Sequence, residues 1–134
     1  MLIPIVEYKG WKYRYGLSYY DFLIEHITNI INKTTTPDHR LFTVLLDHKT
    51  GMELRIRFLK EQRYIIDDSL LEETATQLKQ KATALLFRFL KANMLEKQKR
   101  DALYQKMINT LSLLKDEDRK FTQKLLDALN KGNQ

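Results

Sequence analysis

No glycine or proline occurs between Met52 and Lys131, whereas Pro4, Gly10, Gly16, Pro37 and Gly51 all lie before that stretch. Glycine releases the backbone into turns and proline removes an amide donor, so the two punctuate local structure and their loss marks a change of architecture. The distribution predicts two halves: short strands and turns around one helix over residues 1–66, then long helices over residues 67–134. The expected fold class is α+β, one domain over residues 1–134, with a small antiparallel sheet in the order ββαββ and two to three C-terminal helices packed on one face.

The first hairpin is predicted over residues 3–15, turning at Lys9-Gly10. In that register Val6, Tyr8, Trp11 and Tyr13 share one face, extended by Tyr15, while Glu7 faces Lys12 and Ile5 faces Arg14. Ser18 opens a helix carrying Tyr20, Leu23, Ile24, Ile27, Ile30 and Ile31 at helical spacing, and residues 34–38 read as a loop. A second hairpin is predicted from the β-prone residues 41–47, a turn at Lys49-Thr50-Gly51, and a return strand with Leu54, Ile56 and Phe58 on one face and Glu53, Arg55 and Arg57 on the other. Tyr64, Ile65 and Ile66 either add a short strand or lead into the next helix.

Ser69 with Glu72 forms a capping box, the strongest helix start in the chain. Leu71, Ala75, Leu78, Ala82, Leu85, Phe89 and Ala92 then step alternately by four and three, a heptad stripe that packs either inside its own domain or against another chain. The pattern breaks over residues 96–101, resumes with Leu103, Met107, Leu111 and Leu114, and continues after Asp116 or Asp118 in a final helix that stops at Lys131-Gly132.

Hydrophobic content of 43% with 30% charged residues belongs to a folded chain and not a disordered one. Absence of cysteine excludes disulfides, thiolate metal sites and a cysteine nucleophile. Leu2 to Val6 is a short apolar run without a basic leader, and no apolar stretch approaches the roughly 20 residues a bilayer requires, so a cytoplasmic protein with no membrane contact is expected. The net charge of +6 divides evenly, ten basic against seven acidic residues over 1–66 and thirteen against ten over 67–134. Residues 79–100 are different: Lys79, Lys81, Arg88, Lys91, Lys97, Lys99 and Arg100 stand against Glu96 alone. Such a cluster is either a solvated helix face or a phosphate-recruiting surface.

Catalytic patterns are scarce. Pro37-Asp38 followed by Asp47-His48-Lys49 matches the letters of the PD-(D/E)xK nuclease signature. Such a resemblance would imply Asp38 and Asp47 as metal ligands and Lys49 as the group that orients the attacking water. On an extended strand, however, the two aspartates stand roughly 30 Å apart, and oxygen ligands must lie about 2–2.6 Å from an ion. The match is therefore read as coincidental. His26, His39 and His48 are scattered, Ser18 and Ser69 read as helix caps, and four dispersed glycines build no phosphate loop. No metal, no cofactor and no catalytic residue is expected.

Recognition by surface remains. The expected function is non-enzymatic binding of nucleic acid, DNA or RNA undecided, in a regulatory role. Lys12, Arg14, Arg55 and Arg57 would line a solvated sheet face, and Lys81, Arg88, Lys91, Lys99 and Arg100 the basic helix region. The alternative is a protein–protein module, an oligomerisation factor, adaptor or inhibitor, whose interface uses Leu71, Leu78, Leu85, Phe87 and Phe89 and includes self-association.

Overall fold

A computed structural model describes residues 5–8, 11–14, 17–65 and 69–132. Strands β1 (Ile5–Tyr8) and β2 (Trp11–Arg14) form one antiparallel hairpin. Its pairs are Ile5 with Arg14, Val6 with Tyr13, Glu7 with Lys12 and Tyr8 with Trp11, the register expected from the sequence; the Lys9-Gly10 turn and Tyr15 lie outside the described residues. Every element described after the hairpin is a helix: α1 (Leu17–Ile31), α2 (Arg40–Glu61), α3 (Ser69–Ala92) and α4 (Lys97–Gly132).

The α+β expectation is therefore overturned. The second hairpin does not form, because residues 41–47, the supposed turn at Lys49-Thr50-Gly51 and the supposed return strand all belong to the single helix α2. The four helices pack on one another, and no sheet layer lies against them among the described residues. Two features disguised α2. Its buried stripe is Phe42, Leu45, Lys49, Met52 and Ile56, stepping by three and four, but the interior member Lys49 is a cation and breaks the apolar period. Conversely Leu54 and Phe58, which supply the apparent alternation with Ile56, are 56% and 55% exposed on the outer face, whereas Ile56 is fully buried.

The Lys131-Gly132 stop closes α4 as expected, but glycine misled at position 51. Glycine most often holds the left-handed residue that ends a helix. Here Lys33 and Arg63 hold it, with φ of 60° and 59°. The amides of Lys33 and Thr34 donate to the carbonyls of Ile30 and Asn29, and those of Arg63 and Tyr64 to Lys60 and Leu59, a Schellman closure after α1 and again after α2. Gly51, meanwhile, sits inside α2. Tyr64 and Ile65 form part of the α2–α3 connection, where Ile65 is buried.

The remaining helices follow their stripes. In α3 all seven heptad residues, Leu71 through Ala92, are buried. In α4 the core stripe is Tyr104, Met107, Leu111, Leu114, Asp118, Phe121 and Leu125, and the helix is continuous, so Asp118 is an interior residue and does not cap a separate last helix. Contacts such as Lys60 with Glu72 and Glu53 with Thr76 run α2 antiparallel to α3; Asn93 with Tyr104 and Lys81 with Glu117 do the same for α3 and α4. Tyr20, Leu23 and Ile27 of α1 enter the same core, and stacked rings join Phe42, Phe89 and Tyr104 across three helices. Among the described residues no helix is long and apolar enough to cross a membrane.

Gly51 provides a direct test of helix against hairpin. A Cβ added there meets nothing within 4 Å, and glycine inside a helix is less stable than alanine by about 0.5–1 kcal/mol. Gly51→Ala is expected to raise unfolding stability by that amount in a urea titration; a turn glycine would instead give a loss.

Candidate functional site

Polar chemistry gathers in three places. The first is interior. Lys49 and Asp118, each at a core position of its heptad, form a buried ion pair between α2 and α4. The Tyr20 hydroxyl of α1 donates to the same carboxylate at 2.6 Å, and the Lys49 ammonium stands 5.4 Å from the Tyr20 ring centroid. Burial, then the neighbouring Asp118 charge, pushes the Tyr20 phenol well above its ordinary 10, so it stays a donor. His48, half-buried beside Lys49, is held down to about 4 by burial and by that ammonium. None of the described grooves opens on these groups, whose demands are met internally. The centre joins α1, α2 and α4.

The second place is the α2–α3 seam. Glu53, buried, accepts from Thr76 at 2.7 Å and from Lys79 at 3.4 Å. Arg57 reaches Glu53 at 3.5 Å and Glu72 at 3.2 Å, and Lys60 reaches Glu72 at 2.9 Å. The seam's groove of 180 Å³ is lined by Arg57, Lys60, Glu61 and Glu72, so its charges are largely spent on one another.

The third is the hairpin of α3 and α4, joined through residues 93–96. A groove of 490 Å³ runs between these helices, lined by Arg88 of α3 and by Leu103, Lys106, Met107, Asn109 and Thr110 of α4. Two cations face it and no carboxylate does. Arg88, Lys91, Lys97, Lys99, Arg100 and Lys106 make no ion pair among the described residues. Arg100 also carries a buried Nε without a hydrogen-bond partner. The first turn of α4 contains no acidic residue, and Lys97, Lys99 and Arg100 add positive charge where the helix dipole is already positive. The chain thus leaves an electrostatic conflict here that an anion would relieve.

The sequence-derived candidates scatter over this arrangement. Lys12 and Arg14 belong to β2, while Arg55 and Arg57 belong to α2, so the common basic sheet face does not exist. Arg55 is exposed and Arg57 is committed to Glu53 and Glu72. Lys81 is neutralised by Glu117 at 2.5 Å and Lys79 by Glu53, whereas Arg88, Lys91 and Lys99 are exposed and have no ion-pair partner among the described residues. Leu71, Leu78, Leu85 and Phe89 lie in the chain's own core; Phe87 is 64% exposed. Lys106, Asn109 and Thr110 were missed. Their signal was the antiparallel partner: an arginine on α3 meets whatever α4 presents one turn-register away, and single-helix patterning carries no such information.

The letters of the nuclease signature also find their places. Asp38 precedes α2, accepts from the Arg40 amide at 3.1 Å and guanidinium at 2.9 Å, and is drawn down to about 2 chiefly by that arginine. Its own amide donates to His26 Nε2 at 3.1 Å. Asp47 lies nine residues on, about 14 Å along a helix and not the strand length first inferred, still beyond the reach of one ion. Lys49 is buried against Asp118. No group of three or more metal-ligating side chains is assembled among the described residues. Comparison with known protein families, characterised proteins and solved structures finds no match for this chain.

Two outcomes follow for the interior centre. Asp118→Ala strands the Lys49 charge and is expected to cost on the order of 3–5 kcal/mol in chemical unfolding. Lys49→Met, Asp118→Leu and Tyr20→Phe combined are expected to recover most of it, because an apolar centre strands nothing. Acidification supplies the second. Unfolded His48 binds a proton near 6.5 and folded His48 only near 4. Stability is therefore expected to fall as pH drops through that window, with half-buried His26 acting in the same direction. Glu53 and Glu72, held below their ordinary 4.5, lose their contributions at lower pH. His48→Gln is expected to reduce the slope above pH 4.5 in a thermal-melt series.

Proposed function

We propose that this protein is a non-enzymatic nucleic-acid-binding protein that contacts phosphates through the α3–α4 hairpin. One observation carries the reading: among the described residues, Arg57, Lys60 and Lys79 at the α2–α3 seam and Lys81 of α3 are matched to carboxylates, whereas Arg88, Lys91, Lys97, Lys99, Arg100 and Lys106 are not. Unpaired basic side chains cost a fold self-repulsion, and phosphate contacts repay it by releasing counterions. The unpartnered Arg100 Nε and the basic first turn of α4 act in the same sense. Asn109 and Thr110 add neutral hydrogen-bonding groups between Arg88 and Lys106, the mixture that positions a backbone without competing charge.

A second reading keeps one specific support. A protein–protein module on the C-terminal helices rests on Phe87 of α3 and Met94 of the α3–α4 connection, 64% and 86% exposed, now that the leucines of its stripe are interior.

Fluorescence anisotropy with labelled DNA and RNA, at roughly 50 and 200 mM salt, separates the two. Binding that weakens steeply with salt is expected, and Arg88→Gln or Lys106→Gln is expected to lower the slope of log K against log salt by about one. Lys131→Gln, at the far end of α4, is expected to change little. Absence of binding at the lower salt defeats the reading and turns the search to protein partners.

A further inference from the structure

We infer that the α3–α4 groove is a site for single-stranded nucleic acid, a base lying in the groove with its phosphates held at the rim; the inference rests on the nucleic-acid reading above. A duplex turns a convex row of phosphates outward and keeps its bases stacked inside, so it needs only a charged surface. A single strand exposes base faces that require an apolar, concave partner. The groove supplies that partner. Leu103 and the buried Met107 are among its lining residues, in an open groove of 490 Å³.

The polar rim matches a nucleotide's remaining demands. Arg88 on α3 and Lys106 on α4 flank the groove from opposite helices, where one phosphodiester on each side of an inserted base would lie. Asn109 is exposed and offers an amide donor and acceptor to a base edge or sugar. The Thr110 hydroxyl gives its proton to the Lys106 carbonyl at 3.0 Å and so presents an acceptor. No carboxylate lines the groove, which removes the repulsion that would oppose a polyanion. Phe87 precedes Arg88 on α3, is 64% exposed and makes no ring contact among the described residues. It provides a stacking face for a neighbouring base, beside a cation that holds the intervening phosphate.

The test uses the full chain with a labelled single-stranded oligonucleotide, the same-sequence duplex, and a polyglutamate peptide as competitor. The single strand is expected to bind at least about tenfold more tightly than the duplex. Phe87→Ala is expected to weaken single-strand binding by about tenfold, the size of one lost base stack, while leaving the salt slope unchanged. Asn109→Trp, on an exposed position, fills the groove without touching the core and is expected to abolish the single-strand preference. Circular dichroism and an unchanged unfolding midpoint establish that both variants fold. Failure of the wild-type chain to bind any nucleic acid overturns both this inference and the reading beneath it. Equal binding of duplex and single strand, insensitive to Phe87→Ala and Asn109→Trp, overturns the inference and leaves the broader reading standing. Polyglutamate that displaces the oligonucleotide at equal charge concentration also overturns it, in favour of an acidic peptide.

Discussion

A lysine and an aspartate pair in the middle of a helical core, and the arrangement of three helices depends on them. Lys49 of α2 meets Asp118 of α4, and Tyr20 of α1 completes the carboxylate's hydrogen bonding. An apolar heptad stripe can slip by one repeat and still bury its residues, because leucine against leucine is poorly discriminating. A buried ion pair cannot, since displacing either partner leaves a charge without water or counter-charge. A slipped register would strand one of these charges, while the surrounding aromatics and leucines supply the burial. His48 shares the neighbourhood and adds sensitivity to acid, held neutral by the same burial that makes the pairing obligatory.

Charge is divided between two uses. Along the α2–α3 seam, Glu53 and Glu72 absorb Arg57, Lys60 and Lys79, and antiparallel packing brings these partners together from distant sequence positions. Near the α3–α4 turn Arg88, Lys91, Lys97, Lys99, Arg100 and Lys106 have no such partners among the described residues, and one groove is lined by both Arg88 and Lys106. A composition of +6 gives no hint of this division. The same residue types stabilise the fold in one place and stand without an ion-pair partner among the described residues in the other.

Legibility in the sequence followed how far each signal was local. The β1–β2 register, the α1 stripe and the heptads of α3 were readable because each is a contiguous pattern. Helix α2 was not, for reasons vested in four residues. Lys49 interrupts a stripe that only Asp118 makes acceptable. Gly51 marks a turn by habit yet faces open space. Leu54 and Phe58 place apolar side chains on the outer face, where alternation with Ile56 imitates a strand. Part of the site was legible through Arg88 and its basic neighbours. Lys106, Asn109 and Thr110 were not, since they gain meaning only beside α3.

Length, charge, the stretch without glycine or proline between Met52 and Lys131 and the absence of cysteine were set by the sequence alone, and with them the long helices after residue 69 and the exclusion of thiol chemistry. Tertiary structure alone decided that α2 is a helix, that Asp118 is interior, which cations are neutralised, and that a groove forms where α3 and α4 meet. The division has a physical cause. Backbone propensity and hydrophobic period act over a few residues and can be read along the chain. A buried charge or an unpaired one is defined by groups that folding brings from far away, so its cost and its use exist only in the packed molecule.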